Sequence, residues 1–367
     1  MIPNNITILS HKILFLTPYP DQEASSQRFR FEQYYTLLEK KGYMICMRPF
    51  FNKRAWSKLY SRSFLTLILF TLLGFVKRFV HLFLDIRADY VFIHREASPL
   101  GPPVFEWVLS KVFRKKIIHD FDDAIWLNDP DEKGKLKSKL KWKSKVSKIC
   151  KWSYKISAGN AHLAQFARKN NNNVIVNPTT IDTETLHNPV LFQKTEILDK
   201  KTVIGWTGTH STLQYLEPML PVIEKLEKLY DFEFLVIANI NPNYELKSFR
   251  FVPWNKQTEI ADLMKIDIGI MPLTKDDWSE GKCGFKLLQY MALEIPAIAS
   301  PVGVNTEIIS DQVNGYLCDS NEEWFCALQL LIGNHELRMK LGKLGRKKVL
   351  ENYSTISNQA NFLSLFE

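Results

Sequence analysis

Residues 267–307, DIGIMPLTKDDWSEGKCGFKLLQYMALEIPAIASPVGVNTE, constrain this chain more than any other stretch. The pattern reads strand, glycine-bearing loop, helix, strand, loop. Asp267–Met271 is a short apolar run, and Gly281 and Gly284 open the loop. Phe285, Leu287, Leu288, Met291 and Ala292 carry helical periodicity, and Pro296–Ser300 begins the next strand. Lys282 and Lys286 stand where the helix begins. A helix start already holds about half a positive charge and a set of unpaired N–H groups. Cations gathered there call for an anion, most simply a diphosphate. The alternative is a pair of solvated lysines that diverge.

A chain of 367 residues with an apolar fraction of 46% has material for two domains with sizeable cores. The five cysteines (Cys46, Cys150, Cys283, Cys318, Cys326) are scattered and form no CxxC pair. That spacing argues for a reducing compartment and against a disulfide scaffold or zinc site. The first twenty residues lack the basic, apolar and cleavage regions of a signal peptide. The net charge of +9 is concentrated: Lys133–Lys155 holds ten lysines and no acid. No finger, RRM or helix-turn-helix signature accompanies it, so no nucleic-acid partner is expected. On a helix, Leu136, Leu140, Val146, Ile149 and Trp152 fall roughly on one side among the lysines. Such a helix either lies on an anionic membrane surface, the expectation adopted here, or packs on its own domain with a solvated basic face. Phe64–Val76 adds thirteen uncharged residues flanked by Arg62, Lys77 and Arg78. A bilayer span needs about twenty apolar residues, so an interfacial or buried helix is expected there.

Strand and helix patterns alternate along the whole chain. Strands are expected at Lys12–Thr17, Tyr43–Met47, Tyr90–His94, Lys116–Asp120 and Asn173–Val176, then at Thr202–Thr207, Glu233–Ala238, Phe251–Val252, Asp267–Met271 and Ala297–Ser300. Helices are expected at Gln27–Lys41, Phe64–Leu84, Pro103–Phe113, Leu136–Ser153 and Ala161–Lys169, then at Leu216–Leu229, Gln257–Met264, Phe285–Ala292, Asn321–Leu331 and Glu336–Asn352. Alternation of this kind implies α/β architecture, with two doubly wound parallel sheets covered by helices and loops at the strand C-terminal ends lining a cleft. The polar stretch Thr183–Lys200 marks the break, with domains at 1–185 and 186–352. The last helix, about residues 353–367, is expected to pack back on the first.

Five segments then resemble one family. NPTTIDTETL is similar to the interdomain segment of retaining GT-B glycosyltransferases (glycosyltransferase family 4-like, glycosyl transferases group 1). VIGWTGTHSTLQYLEPMLPVIEKL, FEFLVIAN and FVPWNKQTEIADLMKIDIGIMPL resemble the first strands and helices of its donor domain. GKCGFKLLQYMALEIPAIASPVGVNTEIISDQVNGYL resembles its donor motif. The resemblance implies a GT-B fold of two Rossmann-like domains and a nucleotide-diphosphate sugar as donor. It also implies a glycan or lipid-linked acceptor, retention of anomeric configuration, and no metal or other cofactor.

By that resemblance the donor site comprises Gly208, Thr209, Pro253, Trp254, Lys282, Gly284, Phe285, Lys286, Gln289 and Glu307. The chain departs from the family where two glutamates are usual: Gly281 and Gln289 stand there, and Gln289 is expected at the ribose hydroxyls. The family's Arg and Lys after the first donor-domain strand are replaced by Gly208-Thr209-His210-Ser211, so Lys282 and Lys286 are expected to supply the missing charge. In the first domain, SSQRFRFEQ offers Arg28 and Arg30 for a phosphate, and FIHREASPLGPP offers Arg95 and Glu96. KIIHDFDDAIW ends a strand in His119, Asp120, Asp122 and Asp123. His119, Asp120 and Glu96 are the catalytic candidates, and Arg95, Asp122 and Asp123 belong to the acceptor or phosphate side. Asp120-Phe121-Asp122 is also a DxD string of the kind that binds a divalent ion in GT-A enzymes, a reading disfavoured by the two-domain alternation. The expected protein is a cytoplasmic glycosyltransferase, peripheral on the inner face of the membrane. A non-catalytic GT-B module and a nucleotide-sugar epimerase are the rivals.

Overall fold

The structure is a computed structural model that describes residues 11–58, 64–128, 140–192 and 201–367. Most of the lysine-rich segment before Leu140, Leu136 included, lies outside the described residues, as does 193–200 of the expected interdomain break. Two compact units emerge, one of residues 1–178 and 359–367 and the other of Thr179–Asn358. The division falls ahead of the boundary drawn from sequence.

The first unit contains strands β1 (Lys12–Thr17), β2 (Met44–Pro49), β3 (Tyr90–His94), β4 (Lys116–Phe121), β5 (Lys155–Ala158) and β6 (Val174–Val176). Its helices are α1 (Ser25–Arg28), α2 (Tyr35–Lys40), α3 (Lys53–Lys58), α4 (Phe64–Leu84), α5 (Val104–Trp107, continued by one π turn), α6 (Lys145–Trp152) and α7 (Ala161–Arg168). All six strands are parallel in the order β2-β1-β3-β4-β5-β6. Beyond the leading Lys12 and Lys116, the central strands β1, β3 and β4 are buried along their length and mostly apolar, with polar residues gathered at their C-terminal ends, as suits a sheet covered on both faces.

The second unit contains β7 (Thr202–Gly208), β8 (Phe232–Ala238), β9 (Phe249–Pro253), β10 (Ile268–Met271), β11 (Ala297–Ala299) and β12 (Tyr316–Leu317). Its helices are α8 (Leu220–Glu227), α9 (Glu259–Leu263), α10 (Asp277–Glu280), α11 (Phe285–Ala292), α12 (Asn305–Ile308), α13 (Asn321–Gly333) and α14 (His335–Asn352). Its strands are again parallel, in the order β12-β11-β10-β7-β8-β9. In both units the chain winds outward on one side, then returns to the other side of its first strand. The reversal lies between β1 and β3 in one sheet and between β7 and β10 in the other. Ligands of doubly wound sheets bind outside the strand C-termini at this reversal.

Helix α11 is held at its reversal point by one side chain. The Tyr290 ring lies on Gly269 of β10, where an added Cβ would sit 2.4 Å from the ring. Its hydroxyl accepts the Thr207 amide of β7 at 3.0 Å.

A last helix, α15 (Gln359–Leu363), returns the chain to the first unit. Phe362 stacks on Tyr34 at 4.2 Å, and Phe366 packs against Tyr90 and Phe92. Lys155 Nζ donates to the Ser364 carbonyl at 2.5 Å. Phe362 is fully buried in the cluster that includes Ile13, Phe15, Phe31 and Phe92. Phe362→Ala is expected to destabilise the first unit by about 3–5 kcal/mol through the cavity it leaves. Hydrogen exchange in denaturant should show earlier opening of β1 and β3, with β7 and β8 unchanged.

Candidate active site

The second unit's reversal point gathers most of the donor residues named from sequence. Gly208, Ala238 and Pro253 end β7, β8 and β9 in register. Thr209 follows as the cap of a 3₁₀ turn (His210–Tyr215), its side chain and that of Thr212 satisfying each other's backbone amides. The next residue, His210, donates its amide to Asn239 Oδ1 at 2.8 Å. Trp254, half-buried, anchors its amide on the Ala238 carbonyl at 2.9 Å, so its ring stands at the rim of the sheet.

The loop after β10 leads through α10 to Lys282, Gly284 and α11. Gly284 adopts φ 66°, a left-handed conformation that disfavours side chains, and no side chain caps the helix start. Lys282 Nζ lies 5.0 Å from the Trp278 ring, and Lys286 Nζ lies 5.4 Å from the Trp206 ring of β7. Both lysines, like Phe285, are half-buried. The two ammonium groups therefore lie over aromatic rings, one on α10 and one on β7. The arrangement sums two ammonium groups with the partial charge of a helix N-terminus.

Two donor residues take other places. Gln289 is 2% exposed and directs its amide to Glu259 Oε1 at 3.4 Å and towards His187 Nε2 at 3.5 Å. From Leu287 onward α11 is buried on every side, so only its first turn is open to a ligand. Gln289, expected at the ribose hydroxyls, here joins α11 to α9. Glu307 is on the exposed part of α12. The inward-facing residue there is Asn305, fully buried, with Nδ2 on the Ser300 carbonyl at 3.1 Å and Oδ1 left without a protein partner. An orphaned buried acceptor beside Gly284 suits a ligand hydroxyl. Nothing in the string PVGVN distinguishes Asn305 from a turn residue until its burial is seen.

In the first unit Asp120 is fully buried at the end of β4 and is saturated with donors. Oδ1 accepts from Arg30 Nη2 and Ser157 Oγ, each at 2.5 Å, and Oδ2 meets His94 Nδ1 at 2.7 Å. Arg30 also donates to the Asn177 carbonyl. Burial alone would raise the Asp120 pKa, but Arg30 and His94 outweigh it and hold the carboxyl well below the usual range. Asp120 and Arg30 therefore bind each other across β4, β5 and β6. Asp120, expected as a catalytic candidate, and Arg30, expected at a phosphate, are thus both buried and engaged within the first unit. His94, Ser157 and Asn177 complete the network and were not singled out from sequence. The histidine ending β3 was the available signal.

His119 is also fully buried. Its Nε2 donates to the Arg95 carbonyl at 2.8 Å, and its Nδ1 faces Cys150 Sγ at 3.7 Å. Burial pushes its pKa down to about 4. His119, expected as a catalytic candidate, is a buried neutral brace for Arg95, whose φ of 61° is left-handed. Arg28 is buried in α1 and lies over the Phe29 ring.

The open groups at the ends of β3 and β4 are Arg95, Glu96, Asp122 and Asp123. Arg95 Nη2 holds Asp122 at 2.9 Å and Asp123 at 2.6 Å. Glu96, a quarter exposed, pairs with buried Lys145 at 2.7 Å. The carboxylates of the DxD string are thus engaged by different arginines, Asp120 by Arg30 and Asp122 by Arg95.

Residues 192–348 match the glycosyl transferases group 1 family. The match lies within the second unit and includes every donor residue above. Over 124 residues, a third of this chain, the sequence is 28% identical to N-acetyl-alpha-D-glucosaminyl L-malate synthase of Bacillus anthracis. The aligned part spans about a third of that enzyme's length. Among solved structures, a glycosyltransferase from Rickettsia africae is similar at TM-score 0.69 and 13% identity, with 98% of each chain covered. Anabaena HepE in complex with UDP and glucose is similar at TM-score 0.61 and 13% identity, with 96% of this chain and 99% of that one covered. The fold is GT-B, with two Rossmann-like domains.

Acid should weaken the first unit in two windows. His119 stays neutral in the fold down to about pH 4, while the unfolded imidazole protonates near 6.5, so stability falls as pH drops between those values. The full effect is on the order of 3 kcal/mol. The stabilisation from Asp120 is present above its ordinary pKa of 3.8 and is lost as pH falls further. Urea titrations from pH 7 to 4 are expected to show the decline, and His119→Gln should flatten it.

Proposed function

We propose that the chain is a glycosyltransferase that moves a sugar from a nucleoside-diphosphate sugar to a glycan or lipid-linked acceptor in polysaccharide or glycoconjugate synthesis. The observation that carries this reading is the pair Lys282 and Lys286, half-buried on tryptophan faces at an uncapped helix start, at the sheet reversal of a group 1 domain. When the anomeric C–O bond breaks, negative charge gathers on the departing diphosphate. Two ammonium groups and the first N–H groups of α11 are fixed where that charge develops, so they stabilise the transition state without reorganising. Gly284 keeps the approach to those N–H groups clear. Trp254 offers a ring face to the base, and Asn305 offers an acceptor to a ligand hydroxyl.

On the first unit, Glu96 is the accessible carboxylate for the acceptor hydroxyl. As the new C–O bond forms, the hydroxyl proton passes to Glu96 or to the leaving phosphate. Lys145 orients Glu96 through their ion pair at 2.7 Å. The resemblance supports retention and a metal-free reaction, in which the lysines do the work of a cation. Five free cysteines favour a reducing, cytoplasmic setting, where nucleoside-diphosphate sugars are made. HepE was solved with UDP, which makes UDP-sugars the first donors to try.

A binding module without turnover is the second reading, favoured by Gly281 and buried Gln289 in place of the family's glutamates. Calorimetric titration of UDP-sugars with product analysis separates the two: binding with neither transfer nor hydrolysis would select the module. If the enzyme reading holds, Lys286→Ala lowers kcat/KM about tenfold or more. Unchanged kinetics in that variant would refute the clamp. Turnover should persist in EDTA, and loss of activity restored by added Mg²⁺ or Mn²⁺ would overturn the metal-free mechanism.

A further inference from the structure

We infer that the outer face of helix α4 is a docking surface that seats the first unit on an anionic lipid bilayer. The helix has its polarity inverted. The residues it turns inward include Gly74, closely apposed to the Phe50 ring, and the buried Arg78, Leu82 and Asp85. The residues it turns outward are Leu69, Leu72, Val76, Phe79, Phe83 and Leu84, each 55–67% exposed. A helix stabilised only by its own domain would be rotated the other way.

Polar anchors fix the rotation. Arg78 donates to three carbonyls at strand ends and the following loop, Thr17 at 3.0 Å, Arg48 at 2.7 Å and Ala97 at 2.8 Å. Asp85 pairs with Lys12 at 2.9 Å and with Arg48 at 2.8 Å. Rolling the apolar face inward would strip all of these partners from buried groups, which is unfavourable by more than the apolar area could return. The outward face is therefore built into the domain.

The surface continues beyond α4. Phe75 and Phe83 pack against Phe105 and Phe113, which sets α4 beside α5 and its π turn. From these the exposed Val104, Trp107 and Val112 extend the apolar area. Leu140 and Trp142, also exposed, join through the Gly101 amide on the Leu140 carbonyl at 2.8 Å. A patch of this extent exceeds what a surface facing only water carries.

Charge identifies the occupant. Within residues 50–88 the single acid is Asp85, and within 97–119 it is Glu106; both are buried. Lys53, Arg54, Lys58, Lys77, Arg87, Lys111 and Arg114 are exposed in the same stretches. A second copy seated here would oppose cations with cations. Anionic headgroups match them, because each basic side chain near the surface is drawn to the negative surface potential. Trp107 and Trp142 suit the headgroup level.

The same anchors decide orientation. Thr66–Leu84 is long and apolar enough to cross a bilayer. Crossing would carry Arg78 and Asp85 into hydrocarbon and sever their bonds to β1 and β2. The helix lies in the plane of the membrane instead. This surface belongs to the first unit and the donor residues to the second, so the inference holds or fails independently of the proposed reaction.

The test is flotation of the whole protein with vesicles of phosphatidylcholine containing about one third phosphatidylglycerol, a composition chosen for its surface potential. The protein should float with these vesicles, and weakly with phosphatidylcholine alone or in high salt. Val76→Asp combined with Phe79→Asp should lower the bound fraction about tenfold or more, with circular dichroism and thermal unfolding unchanged. Vesicles should also slow amide exchange along α4 in the unsubstituted protein. Flotation of the double variant equal to the parent would overturn the proposal. So would absence of flotation with a dimer in sedimentation that the double variant dissociates, since the face would then belong to a second copy.

Discussion

Asp120 and Arg30 meet where neither touches water, and the working end of the first sheet is organised around that contact. The strands β3 to β6 are parallel, so their carbonyl ends and following loops converge on one edge. Arg30 comes from the segment after α1 and reaches across to Asp120 on β4 and to the Asn177 carbonyl beyond β6, while His94 on β3 and Ser157 on β5 fill the remaining oxygen positions. A buried ion pair adds little net stability, but it tolerates few alternative arrangements. Arg95, Glu96, Asp122 and Asp123 follow directly on β3 and β4 and are themselves paired at the partly exposed end of the sheet, Arg95 with both aspartates and Glu96 with Lys145.

The second unit reaches the same end by shape rather than charge. Gly269 makes room for Tyr290, Tyr290 holds Thr207, and the start of α11 is thereby set against the end of β7. The backbone direction of a helix start favours anions, and Lys282 and Lys286 stand beside it, which is what the proposed donor clamp rests on in place of the glutamate pair usual in the matched family.

Much of this was readable before any coordinates. The strands β1 and β3 and the helices α4 and α11 have the expected bounds, because each is a long apolar run or a clean 3.6-residue pattern between breakers. The strand β5 was not expected. It has four residues, KISA, and follows a lysine-rich helix, so its burial comes from neighbouring strands rather than its own composition. Gln27–Lys41 was expected as one helix but is divided at Phe29–Phe31, where Arg30 leaves helical geometry to reach Asp120. The site residues were legible by type and not by depth. A carboxylate at a strand end looks the same in sequence whether it faces solvent, as Asp122 partly does, or a buried arginine, as Asp120 does. Depth is set by partners distant in sequence, Arg30 and Asn177 among them, and spacing along one strand carries no record of them.

The return of α15 to the first unit has a bearing on how the protein is made. Synthesis proceeds from the N-terminus, yet the aromatic layer over Phe92 and Tyr34 is completed by Phe362 and Phe366. The domain that leaves the ribosome first must wait, with that layer uncovered, until the whole of the other has been translated. The second domain, by contrast, has every strand of its own sheet in hand by Leu317, before either of those closing aromatics is made.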